Sequence, residues 1–196
     1  TNGGADMLTV LSSNLVPPGA GKFQPTGNFH PGDSIPAGTV YEKLAGVVRF
    51  DGGTGVNSLV ADADADWTLT ADALVTGDSR IDLANVDDAG LFGGGSANRF
   101  DISGWMGSLT VDGRGGSDEV VVDAGVASSG TIIITDSGSA AGDIDELTVL
   151  GSNANDAIKI RRLTALVNDI AVAYANYEVL RIGGRDGDDT IDIVDS

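Results

Sequence analysis

Apolar and polar residues alternate in short stretches along most of this chain, and most stretches lie beside turns rich in glycine and aspartate. The first candidate strand is residues 7–11 (MLTVL), after the first turn. From Thr39 onward they follow quickly, at 47–50 (VVRF), 57–61, 67–70 (WTLT), 73–75, 80–83 (RIDL), 100–102, 109–111, 119–122, 131–134, 147–149, 158–160 (IKI) and 191–193. Successive side chains of an extended strand point to opposite faces, so a period of 2 predicts strands with one apolar face and one face of Thr, Asp, Lys or Arg. The one stretch compatible with a helix is 163–178, which is rich in alanine, yet Ile170, Val172 and Tyr174 alternate there and favour strands. Residues 12–38 hold all 5 prolines and keep no sustained period. Structureless segments of that length are uncommon inside compact domains, and this one is expected to be a cover or an interaction arm. The chain thus divides into a first turn-strand unit (1–11), a Pro-rich loop or arm (12–45) and a strand-rich body (46–196).

The turns share a form, Gly-x-x-Gly-x-Asp-x-apolar. It reads GRDGDDTI at 184–191, GRGGSDEV at 113–120 and, with Asn for Asp, GGTGVNSL at 52–59. Looser copies occupy 1–8, 93–100, 140–147 and 151–158. A longer similarity joins Tyr41-Glu42-Lys43-Leu44, ahead of the copy at Gly52, to Tyr177-Glu178-Val179-Leu180, ahead of the copy at Gly184. Each is preceded by another copy, at 1–8 and 151–158, as a diverged duplication would leave them. Two all-β architectures fit the rhythm, an antiparallel sandwich and a parallel β-helix. Sandwich hairpins favour two-residue Asn-Gly or Asp-Gly turns. Here Asp51-Gly52 and Asp112-Gly113 each open a longer glycine-rich turn, and stacked coils of a β-solenoid, with like turns above one another, account for the pattern better.

The copies at 113–120 and 184–192 resemble the nonapeptide of RTX, or haemolysin-type, calcium-binding repeats, and the surroundings at 98–113 resemble long repetitive bacterial surface proteins and adhesins. The resemblance covers about residues 45–196 and the first dozen. It implies a secreted or surface-attached, bacterial β-solenoid with a structural or adhesive role. In such turns glycines adopt φ > 0 and bring carbonyls inward, the aspartate adds a carboxylate, and hard Ca²⁺ takes 6 to 8 oxygens. The residues this puts forward for Ca²⁺ are Asp186, Asp188, Asp189, Asp118, Asp112, Asp156, Asn98 and Asp6, with Asp186, Asp188 and Asp189 as the best single cluster. The motif acids and amides, Asp6, Asn57, Asn98, Asp118, Asp145, Asp156 and Asp189, are however spaced by 51, 41, 20, 27, 11 and 33 residues rather than a steady nine. A continuous ladder of ions is not expected; isolated sites are, where two copies fall on neighbouring coils, and the alternative is that the turns are kept for geometry alone.

Composition narrows the function. A formal charge of −18, from 29 acids against 11 bases, repels nucleic acid and anionic lipid and favours cations as partners. There are no cysteines and a single histidine, His30, in the Pro-rich loop, which excludes disulfides and leaves no basis for a zinc site or a Ser-His-Asp triad. No apolar run approaches the ~20 residues that span a bilayer. With no initiator Met and no signal-peptide pattern, the sequence is expected to be a mature product or a segment of a longer chain. The leading expectation is a non-enzymatic extracellular module that assembles head to tail as a homo-oligomer or filament, through strand residues such as Leu8, Val10, Ile191 and Ile193. Two alternatives are a calcium-dependent polysaccharide lyase, using Arg161, Arg162 or Arg181, and an adhesin domain binding a cell-surface glycan through Trp67 and Trp105.

Overall fold

A computed structural model describes residues 5–11, 47–77, 79–126, 130–138 and 141–194. The Pro-rich segment, His30 and the first Tyr-Glu-x-Leu lie outside the described residues. The strands are β1 (Met7–Leu11), β2 (Val47–Asp51), β3 (Ser58–Asp62), β4 (Trp67–Leu69), β5 (Ala73–Thr76), β6 (Ser79–Ala84), β7 (Asp88–Phe92), β8 (Arg99–Ser103), β9 (Ser108–Asp112), β10 (Glu119–Asp123), β11 (Ile132–Thr135), β12 (Glu146–Leu150), β13 (Ala157–Arg161), β14 (Thr164–Val167), β15 (Ile170–Ala175), β16 (Val179–Gly183) and β17 (Thr190–Ile193). No helix occurs among the described residues. The alanine-rich stretch forms β14 and β15, in line with its alternation. Two strands lie outside the alternating stretches. β7 carries Gly90 in its centre and only Ala89 and Leu91 on its buried face, and β16 begins inside the second Tyr-Glu-x-Leu.

The strands form two sheets, one in the order β1-β3-β7-β9-β11-β15-β14-β13-β17 and the other in the order β16-β12-β10-β8-β4-β5-β6-β2. Among the described residues antiparallel pairing is confined to β4-β5-β6 and β13-β14-β15; the other pairings are parallel, which an antiparallel sandwich would not give. From β6 to β13 the chain passes from one sheet to the other with every strand. The two meanders are the same device. After β3 the chain enters the second sheet as β4, beyond the place next to β2, then returns through β5 and β6 to fill the gap. After β12 it does likewise in the first sheet with β13, β14 and β15.

Register explains the core. Leu59, Ala89, Leu109, Ile132 and Val172 stand side by side across the first sheet, as do Phe100, Val120, Leu147 and Leu180 across the second. A slip of one residue would turn every one of these outward. Buried residues of both sheets join in a single apolar cluster that includes Trp67, Phe100 and Trp105. The turn copies at 1–8 and 52–59 enter strands paired in register, Leu8 beside Leu59. The copies at 151–158 and 184–191 do the same, Ile158 beside Ile191.

Candidate metal centre

The Gly-x-x-Gly-x-Asp spacing has a local cause in two backbone demands. In the three best copies the second and fourth positions have positive φ: Gly53 and Gly55 at 70° and 123°, Arg114 and Gly116 at 72° and 105°, Arg185 and Gly187 at 71° and 122°. The fourth position lies beyond the left-handed region an L side chain tolerates, so it is glycine in each. The first glycine answers a packing demand. The acid or amide five positions on folds back over it: a Cβ on Gly93 would stand 2.6 Å from Asn98 Oδ1, and one on Gly151 would stand 2.6 Å from Asp156 Oδ2.

That side chain has a backbone partner on the adjacent strand. The N–H of Asp6 donates to Asn57 Oδ1 (3.1 Å), that of Asn98 to Asp118 Oδ1 (2.7 Å), that of Asp118 to Asp145 Oδ1 (2.8 Å), and that of Asp156 to Asp189 Oδ1 (3.0 Å). The irregular steps of 51, 20, 27 and 33 residues are these neighbour contacts. The steps of 41 and 11 join positions that precede strands of different sheets. What runs through the turns is a ladder of side chains capping backbone N–H groups.

At one place the ladder has oxygens to spare. In two other copies the side chain also serves its own turn, accepting from Gly94 N–H (2.8 Å, Asn98 Oδ1) or Ser152 N–H (2.7 Å, Asp156 Oδ2). In the turn of Asp118, the corresponding N–H, that of Arg114, donates instead to Asp112 Oδ1 (3.1 Å). Asp118 Oδ2 is left buried with no hydrogen-bond partner, and so is Asp136 Oδ2. Both converge over Gly113: a Cβ there would stand 2.6 Å from Asp136 Oδ2 and closer still to Asp118 Oδ2. Asp136 follows β11 in register with Gly113, and its Oδ1 accepts from Gly138 N–H at 2.6 Å. Asp145 completes the group. Asp118, Asp136 and Asp145 are 1%, 2% and 6% exposed, with ligand oxygens within 4.8 Å of one another. Beside them lies a cavity of about 80 Å³, lined in part by Gly116, Gly138, Asp143 and Glu178.

The electrostatics follow from burial without compensation. Burial, then the charges of Asp145 and Asp118, push Asp136 up to about 7. Burial also raises Asp118, with Asp145 and Asp143 adding to it, and raises Asp145, with Glu178 and Asp143 adding to it. The Tyr177 hydroxyl is buried without a partner, and burial and these carboxylates raise its pKa well above the usual value. No ion pair among the described residues engages the five acids. The nearby arginines serve elsewhere: Arg99 with Asp101 and Glu119, Arg114 with Asp62, Arg181 with Glu146, and Arg185 with Asp123.

The residues put forward from the sequence are therefore spread out. Asp118 alone belongs to the buried group. Asn98 is its neighbour on the ladder. Asp112 lies one turn away and caps Arg114 and Ser137 N–H. Asp6 and Asp156 occupy the ladder near β1 and β13. Asp186 and Asp188 are exposed, Asp189 is half-buried, and Asp188 N–H donates to Asn155 Oδ1 (2.9 Å). Asp145 is legible as a motif position, whereas Asp136 lies in no copy of the motif. Only the alignment of β11 with β9 brings it over Gly113. Trp67 and Trp105 are buried in the core, and Trp105 Nε1 donates to Ser108 O (3.1 Å), so neither presents a face to a sugar. No protein family, curated protein or solved structure matches this chain.

Proposed function

We propose that this chain is an extracellular structural module of bacterial origin, a β-solenoid that extends by adding strands end to end in a surface fibre, matrix filament or adhesin. The observation that carries the reading is the exposed edge at β17. Ile191 and Ile193 are 52% and 78% exposed, although Ile158, in register with Ile191 one strand inward, is buried. One more parallel strand would cover them. Among the described residues the edges of the first sheet are β17 and β1, and those of the second are β16 and β2. Parallel pairing of β17 with β1 of a second copy, and of β16 with β2, would continue both sheets. Such a contact is heterologous, and when it does not close it makes a filament. A covalent continuation of the chain would cover the same edges.

The engagement of Arg181 with Glu146, like that of Arg99, Arg114 and Arg185 with their own carboxylates, is of the kind that balances an acidic face and supports a non-catalytic role. The test is light scattering of the full chain at high concentration with and without Ca²⁺, followed by fibre diffraction of any polymer. Filaments with an axial spacing near 4.7 to 4.8 Å are expected. A chain that stays monomeric under both conditions would remove the end-to-end reading.

A further inference from the structure

We propose that Asp118, Asp136 and Asp145 form a single buried binding site for a hard divalent cation, Ca²⁺, which ties the turns before β10 and β12 to the end of β11. The site is separate from the terminal Gly-Asp turn, where Asp186 and Asp188 lie in water. It also stands apart from assembly, since a monomer has all of its ligands.

Three observations converge on it. First, the carboxylates are fixed in place. Oδ1 of each accepts a backbone N–H, from Asn98, Gly138 and Asp118 respectively. Second, two of the second oxygens have no donor although their residues are almost wholly buried. A buried carboxylate oxygen with no partner is costly, and two facing each other repel as well. Something positive must sit between them, either a proton or a metal ion. Third, the surroundings supply more negative charge than one proton neutralises. Asp143 and Glu178 line the adjoining cavity, and Asp145 N–H donates to Glu178 Oε2 at 2.8 Å.

The geometry suits calcium. Ligand oxygens within 4.8 Å of one another span no more than the width of an ion with bonds of about 2.4 Å. The donors are all oxygen and mostly anionic, a hard set. Each anchored carboxylate offers one oxygen, which leaves an irregular shell for the cavity to complete with water, Asp143 or Glu178. Ca²⁺ accepts irregular shells of six to eight oxygens, whereas Mg²⁺ demands a near-ideal octahedron.

The experiment uses the full chain stripped with EDTA and titrated with CaCl₂ by calorimetry, and with TbCl₃ by luminescence excited through tyrosine, since Tyr177 lies against the carboxylates. Expected are one dominant site, a rise in melting temperature on adding Ca²⁺, sensitised terbium emission that weakens in Tyr177→Phe, and affinity at least about tenfold lower in Asp136→Asn, because affinity follows ligand charge. Asp136→Asn retains an acceptor for Gly138 N–H and gains an amide donor facing Asp118 Oδ2. It should therefore fold, and in EDTA it should melt higher than the unsubstituted chain. Asp188→Asn should bind as the unsubstituted chain does. The inference is overturned if the stripped chain binds neither ion, if Asp136→Asn binds both unchanged, or if Asp188→Asn rather than Asp136→Asn abolishes binding. Failure of light scattering to find filaments would leave each of these outcomes as it stands.

Discussion

Asp118 and Asp145 stand 27 positions apart and are joined by a hydrogen bond of 2.8 Å from the backbone N–H of the first to the carboxylate of the second. The bond is possible because β10 and β12 run parallel in register, Glu119 beside Glu146. The aspartate of the turn motif thus works across strands, and the consequences are measurable.

Asn57 is the cleanest rung to test. It is fully buried, accepts from Asp6 N–H (3.1 Å) and donates to Asn85 O (2.8 Å). Asn57→Asp restores the acid of the consensus turn but loses the donor. It should destabilise by about 1–3 kcal/mol in urea unfolding, because Asn85 O and a new buried charge are left unpaired. Equal or greater stability would show that the amide is not used as a donor.

Gly93 and Gly95 belong to the same turn and should respond unequally to a methyl group. A Cβ on Gly93 meets Asn98 Oδ1 at 2.6 Å, while one on Gly95 meets nothing within 4 Å. Gly93→Ala should therefore cost at least about 1–3 kcal/mol through overpacking, and Gly95→Ala should stay within about 0.5 kcal/mol of the parent. Parallel thermal melts of the two variants decide the matter; similar losses would refute the packing role of the first glycine.

In chelator the acid cluster should make stability depend on pH. Asp136 titrates near 7 in the folded chain and, unfolded, near the ordinary value of about 3.9. Its folded pKa is raised, so its contribution is fully present below about 3.9 and is lost as pH rises through about 7. The groups facing it are Asp118, Asp145, Asp143 and Tyr177, with the Gly138 N–H opposing the shift. Carboxylates held low elsewhere, such as Asp51 by Asn85 and Asp64 by Asn98, act in the opposite sense. The measurement is therefore a difference: between pH 4.5 and 8 (roughly the span of the two values) the parent should lose more melting temperature in EDTA than Asp136→Asn. Identical slopes would contradict it.

The β17 edge gives an assembly variant that should leave the fold alone. Ile191 and Ile193 are exposed, and surface substitutions away from special features change stability by no more than about 0.5 kcal/mol. Ile191→Lys with Ile193→Lys places charges along an open strand edge, a natural block to edge pairing. Sedimentation should show monomers with unchanged melting; polymers persisting in this variant would mean that assembly uses another surface.

Much of the fold is legible in the order of residues alone. Residues 80–83 and 109–111 alternate cleanly and lie in strands, because a half-buried strand imposes period 2 on its own sequence. The glycines at 113, 116, 184 and 187 are legible for the same reason, as turn geometry is local. β7 is hidden because Gly90 and Ala89 weaken its alternation, and its burial comes from β3 and β9 on either side.

By itself, the sequence determined that the chain is all-β, acidic and turned at Gly-Asp corners, since those properties depend on residues a few positions apart. Which aspartates meet was decided only in three dimensions. Asp136 carries no motif, and its place over Gly113 depends on the register of β11 against β9, set by packing of Ile132 beside Leu109 and Ile134 beside Val111. Asp186, Asp188 and Asp189 hold the fullest motif yet precede the outer strand β17, where among the described residues a neighbouring turn, that of 151–158, flanks them on one side only. Burial, which turns an acid into a site, belongs to the stack of strands rather than to the motif.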